Sequence, residues 1–142
     1  MKLRGHHLLC LLGFRGLGYS PEFVENMSGI AQRLRSFPQT RIEIVRQPDD
    51  ICTPCPFLGK KGCQDKGPNS EKRKRERDKA VMDRLNVETG DKLSWFEVRE
   101  RIRPSISPGD LDEICRDCEW LPQGYCAEGL KKLTTGADER LQ

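Results

Sequence analysis

Seven cysteines and two histidines are the residues of this 142-residue chain best suited to chemistry. Six of the cysteines fall in two stretches, residues 49–63 and 112–126, that align without a gap. Asp49/Asp112, Ile51/Ile114, Cys52/Cys115, Cys55/Cys118, Leu58/Leu121 and Cys63/Cys126 are identical, and Asp50/Glu113 and Phe57/Trp120 are alike. A C-x2-C turn points two thiolates at one metal, and the third cysteine of each repeat returns after a loop. The aromatic–Leu pair between them is expected to roof the site and keep water off it.

Each repeat supplies three thiolates, whereas tetrahedral zinc and most cubane clusters take four protein ligands. The remaining candidates sit together near the start of the chain. Cys10 is the seventh cysteine, and His6 and His7 stand four and three residues before it. On a helix those spacings share one face. Seven thiolates and one imidazole make two sets of four. The spacing alone does not assign Cys10, His6 or His7 to either repeat.

The two C-x2-C turns could pair into one four-thiolate zinc site, but Cys63 and Cys126 would then have no part. Three-cysteine sets with a distant fourth ligand suit [4Fe–4S] clusters better. The leading expectation is therefore two iron–sulfur clusters, bound by Cys52, Cys55 and Cys63 and by Cys115, Cys118 and Cys126, with Cys10 and His7 or His6 completing them. Their expected use is electron transfer with a redox protein partner. A zinc-bound interaction or nucleic-acid-binding module is one alternative. Another is an enzyme whose cluster keeps an open iron for a small substrate, with a neighbouring histidine as acid or base. Cys52 and Cys55 as a thioredoxin-like dithiol lack the strand–helix setting such a pair needs. Neither a Ser/His/Asp constellation nor a phosphate-binding glycine loop is evident.

Four segments carry a family resemblance. They are Leu3-Arg4-Gly5-His6-His7-Leu8-Leu9-Cys10, Gly18-Tyr19-Ser20-Pro21-Glu22-Phe23-Val24-Glu25-Asn26-Met27, Asp50-Ile51-Cys52-x2-Cys55-Pro56 and Ile114-Cys115-x2-Cys118-x-Trp120. Together they resemble an uncharacterised family of small bacterial and archaeal proteins that is presumed, on its cysteines, to bind iron–sulfur. The resemblance spans nearly the whole chain, brings no known reaction, and implies that the His6–Cys10 helix belongs to the functional site. Gly5 stands where the relatives are expected to carry proline.

The elements that must position these residues read as mainly α with little β, in a single domain over residues 1–142. Residues 5–15 suggest a short buried helix. Ser20-Pro21 starts a second, with Phe23, Met27, Ile30 and Leu34 as its apolar stripe. Residues 41–46 alternate as a strand, and Pro48 to Asn69 reads as loop. Further helices are expected over 71–86, from a Ser94/Glu97 capping box to Ile102, from Ser107 into Cys115, and over 127–133. Trp95 and Phe96 are expected in the core.

Composition bounds the rest. Hydrophobic residues make up 35% and charged residues 33%, thin for a core of this size, so metal sites are expected to help hold the fold. Residues 71–79 carry six basic and three acidic groups, whose i/i+4 interleaving (Glu71/Arg75, Lys74/Asp78) favours a solvated helix face over a nucleic-acid patch. The same charge could dock an acidic redox partner. No apolar run approaches the ~20 residues of a membrane span, and no secretory cleavage pattern is evident. Clustered thiols then point to a reducing cytoplasm, where they bind metal rather than pair.

Overall fold

A computed structural model describes residues 1–16, 18–60, 62–64, 67–116, 118, 122 and 124–135. Among these, helices dominate and strands are short. The order is β1 (Lys2–Arg4), α1 (His7–Gly13), α2 (Pro21–Ser36), β2 (Arg41–Val45), β3 (Leu58–Gly59), β4 (Gly62–Cys63), α3 (Ser70–Leu85), β5 (Lys92–Ser94), α4 (Trp95–Ser105), a 3-10 turn (Pro108–Asp110), α5 (Leu111–Ile114) and α6 (Tyr125–Thr135). The mainly α reading holds.

The helices begin and end where their local chemistry dictates. Ser20 Oγ accepts the Phe23 N–H at 3.1 Å, Pro21 takes the first helical position, and Phe23, Met27, Ile30 and Leu34 are all buried. Ser94 Oγ accepts the Glu97 N–H at 3.1 Å and opens α4. α3 closes on Asn86, whose left-handed backbone (φ 56°) turns its N–H back to Asp83 and Met82 carbonyls. The Ser107 N–H donates to Asp110 Oδ2 at 2.9 Å across the 3-10 turn that leads into α5.

A three-stranded sheet in the order β1-β2-β5 forms the floor. β1 runs parallel to β2 with Leu3 opposite Ile44, and β5 runs antiparallel to β2 with Leu93 opposite Ile42. Leu3, Ile42 and Ile44 are fully buried and meet Leu8, Met27, Leu34, Ile51, Val81, Val98 and Ile102 in one apolar cluster. β3 and β4 form a separate hairpin, with Leu58 opposite Cys63. Among the described residues, no helix is long and apolar enough to cross a membrane.

Several expectations change. The first helix spans His7–Gly13 and is preceded by a strand, because Lys2–Arg4 pairs with β2. The Cys-rich loop contains the β3/β4 hairpin. Trp95 is buried, but Phe96 is 43% exposed, because it falls on the outer side of the first turn of α4. The last helix runs over Tyr125–Thr135, longer at both ends than the expected 127–133.

Candidate metal centre

The first repeat is tied to the start of the chain by one carboxylate. Asp49 Oδ1 accepts the N–H groups of Ile51 (3.0 Å) and Cys52 (3.2 Å), which folds the turn carrying the first thiol. Asp49 Oδ2 accepts the Arg4 N–H at 2.7 Å and faces His7 Nδ1 at 2.8 Å. With a carboxylate opposite, Nδ1 carries a hydrogen, and Nε2 is the nitrogen that a neutral ring would offer to a metal. This carboxylate–imidazole order orients histidines that ligate metals. Ligand atoms of His7, Asp49 and Cys52 all lie within 4.8 Å of one another. Both Asp49 oxygens already accept two hydrogen bonds each, so this carboxylate serves better as the orienting group than as a donor to metal.

The same backbone hydrogen bond links the two cysteines of each C-x2-C motif. The Cys55 N–H donates to the Cys52 carbonyl at 2.8 Å, and the Cys118 N–H donates to the Cys115 carbonyl at 2.8 Å. The repeated acid does not act alike: Asp49 is buried and fully bonded, whereas Asp112 is exposed.

One partly open pocket brings most of the sequence-predicted residues together. Its wall includes His6, His7, Cys10, Cys52, Cys55, Cys63 and Cys118. A second, partly open pocket is lined by Cys10, Gly13, Met27 and Cys126. Cys10 therefore shares one pocket with Cys118 and another with Cys126. All seven cysteines are free thiols. Burial pushes the Cys10 thiol well up, and Cys126, Cys118 and Cys115 add to the rise by their charge. Burial likewise lifts Cys115 to about 12 and Cys126 to about 11, with their thiol neighbours adding to both. Cys52 is raised by burial and by the adjacent Asp49 carboxylate. Buried thiols that repel one another's thiolate forms are the electrostatic picture of a site that a cation would relieve.

Helix crossing explains how Cys126 reaches Cys10. A Cβ on Gly13 would lie 2.5 Å from the Cys126 Cα, and one on Gly129 would lie 2.5 Å from the Leu12 carbonyl carbon. The two glycines let α1 and α6 touch backbone to backbone at the thiols.

A buried ionic network braces the other side of the cavity. Arg4 grips Glu71 with both terminal nitrogens (3.1 and 2.8 Å) and donates from Nε to Asp78 Oδ2 at 2.9 Å. Asp78 Oδ1 accepts the His6 N–H at 3.0 Å and faces His6 Nδ1 at 2.6 Å. Glu71 Oε1 also accepts the N–H of Cys63 at 3.0 Å, linking the network to the third thiol of the first repeat. Burial pushes the His6 imidazole well down, with His7 and Arg77 adding to that, so the ring is neutral. Burial lifts Asp78 despite Arg4. In Glu71 the opposite holds: burial opposes ionisation, but the hydrogen bonds from Arg4 and Cys63 win and hold the carboxyl low.

This network corrects the solvated-face reading of residues 71–79. Lys72, Arg73, Arg75, Glu76 and Lys79 are exposed, but Glu71, Arg77 and Asp78 form a buried charged row on the same helix. The Glu71/Arg75 pair is present at 3.2 Å. Asp78 turns instead to Arg4 and His6. The expected roof is also revised. Phe57 and Leu58 are each 38% exposed, and the Phe57 ring packs edge-on against Tyr19 at 5.0 Å. Trp120 and Leu121 lie outside the described residues. Sequence reasoning missed Arg4, Asp49, Glu71, Arg77 and Asp78. The only available signal was the Asp49/Asp112 identity within the repeat. Gly5 has its own reason to be there: its N–H donates to the Val45 carbonyl at 3.1 Å, and a Cβ would meet the Asp78 carbonyl oxygen at 2.6 Å. A proline there would lose that hydrogen bond.

Fold and site together define a small, mainly helical protein with a candidate His/Asp/Cys metal-binding group and seven free thiols. The sequence profile of the family described as protein of unknown function (DUF1284) matches residues 18–124, and the chain belongs to that family. Neither a curated protein nor a solved structure matches it.

Proposed function

We propose that the protein holds two iron–sulfur clusters, of the [4Fe–4S] type, and transfers electrons with a redox protein partner in the cytoplasm. The observation that supports this best is which thiols the single-copy residues accompany. The charges of Cys126, Cys118 and Cys115 all act on Cys10, and His7 groups with Cys52, although Cys10 and the first-repeat thiols also line one pocket. This gives one set of four thiols (Cys10, Cys115, Cys118, Cys126) and one of three thiols and an imidazole (Cys52, Cys55, Cys63, His7). His6 has a matching carboxylate contact, from Asp78, and lines the same pocket; His7 is preferred because it groups with Cys52.

A bound cluster supplies one-electron chemistry. The protein's own residues do the rest. Asp49 fixes the tautomer and aim of His7, and the burial of Cys10 and Cys115 limits water at the second set. An imidazole in place of a thiolate raises a centre's potential, as in His-ligated iron–sulfur centres. Two centres of different ligand charge suit directional transfer.

Anaerobic purification followed by iron, acid-labile sulfide and zinc analysis, with EPR after dithionite reduction, tests this reading. Two clusters per chain are expected. Cys10→Ser is expected to remove or alter the second centre only, and His7→Ala the first only. Three cysteines and a histidine are also a familiar zinc set. Colourless protein holding zinc without sulfide would replace the redox reading with that of a zinc-bound interaction module.

A further inference from the structure

Arg77 is the one feature of the site that neither repeat explains. It is 8% exposed, on the buried row of α3. Among the described residues it makes no hydrogen bond or ion pair, in contrast to Arg4, whose guanidinium is held by two carboxylates. Its side chain forms part of the cavity wall beside Cys10 and Cys118. It also lines a surface groove with Ile114 and Arg116, the two residues that flank Cys115, and with the acids Glu76 and Glu113, neither of which pairs with it. Its charge acts on Cys115 and Cys10, drawing both thiols down against the burial that lifts them.

An arginine does not lose its proton in a protein, so burial cannot neutralise this one. A buried charge without a counter-charge is strongly unfavourable. Glu76 and Glu113 share the groove with Arg77 but do not pair with it, and within the pocket protonated thiols give it no counter-charge. The same thiols bound to a cluster as thiolates do, because that assembly is net anionic and becomes more so on reduction. Arg77 also presents a fork of N–H donors to sulfur, and hydrogen bonds to cluster sulfurs are among the factors that set potential.

We infer that Arg77 is the internal counter-ion of the group held by Cys10, Cys115, Cys118 and Cys126, a positioning residue that stabilises that centre's reduced state. The inference rests on the two-cluster reading. Arg77 shares the pocket wall with thiols of both sets, but it also borders the groove beside Cys115, whereas the first set has Arg4 next to Cys52. Its effect is therefore expected to be larger on the second centre.

The test is an EPR-monitored redox titration of the full chain, loaded anaerobically, as wild type, Arg77→Met and Arg77→Lys. In Arg77→Met, with iron and sulfide retained, the second centre is expected to become at least tenfold harder to reduce, a 59 mV fall for one electron. Arg77→Lys should recover most of that shift, and the signal lost in His7→Ala should move less. A change below threefold, or equal shifts in both centres, overturns the inference. So does a wild-type signal that responds to added sulfate while Arg77→Met does not, because the guanidinium would then serve a free anion. If Arg77→Met fails to load, Arg77→Lys decides: normal loading with a near-native midpoint supports the counter-ion, and failed loading makes the residue a packing requirement. Wild-type protein without sulfide overturns the two-cluster reading itself, whereas a loaded variant with an unmoved potential overturns only the role of Arg77.

Discussion

At the scale of single residues, the candidate site depends on groups that touch no metal. Asp49 accepts four hydrogen bonds through two oxygens, from Arg4, Ile51, Cys52 and His7. Burial opposes its ionisation, yet the His7 and Arg4 contacts hold its carboxyl below the usual range. Asp49→Asn keeps the size but turns one acceptor into a donor aimed at N–H groups. Metal affinity of the first set should fall about 10–100-fold, the usual cost of losing an orienting partner. Competition against a chelator measures it, and Asp112→Asn at the exposed repeat position should change nothing. Arg4→Met is the harsher case. It leaves Asp78 and Glu71 buried without their cation and should cost about 3–5 kcal/mol in urea unfolding. The thiols were legible in the sequence because cysteine is rare and its spacing repeats. Arg4, Glu71 and Asp78 were not, because in a run of alternating charges nothing local tells which side of the helix meets a strand and which meets water.

At the scale of elements, the second set depends on the contact of α1 with α6. Gly13 and Gly129 face the opposing backbones where the helices cross. Gly129→Ala should therefore cost about 1–3 kcal/mol, as overpacking does in a close-fitted core. Its more telling effect should be selective: the Cys10/Cys126 side should load less metal while the Cys52/Cys55/Cys63 side loads normally. Metal analysis combined with the EPR signature of each centre separates the two. The longer elements were readable in advance because their signals are local. Ser20 caps α2, Ser94 caps α4, and the Phe23–Leu34 stripe shows its period. β1 and the β3/β4 hairpin were not readable, since strands of three and two residues are too short to show alternation and exist through their partners. The crossing of α1 and α6 was hidden for a similar reason: isolated glycines at 13 and 129 look like helix breakers until the opposing backbone is seen.

At the scale of the whole molecule, the question is how an apolar fraction of 35% sustains a fold with so much charge inside it. Ten polar or charged residues are buried among the described residues, and several surround the thiols. The apolar cluster is continuous from the sheet to α4; among the described residues, the first repeat meets it through Ile51 and Cys55 and the second through Ile114, Cys115, Cys118 and Cys126. Metal-bound thiols would tie both segments to α1 at once, so ligand binding and folding should be coupled. A ligand that binds only the folded chain adds about 2.7 kcal/mol at a hundred times its Kd. For a chain of this length that corresponds to roughly 10 °C in melting temperature. Calorimetry of the loaded and chelated protein should show a fall of this order, with the melting temperature of the stripped chain rising as metal is returned. Cys10→Ser should lose part of the gain, and Cys10→Ser combined with His7→Ala should lose nearly all of it. Equal melting temperatures with and without metal would mean that the apolar cluster holds the thiols in place by itself, and that the sites take from the fold without contributing to it.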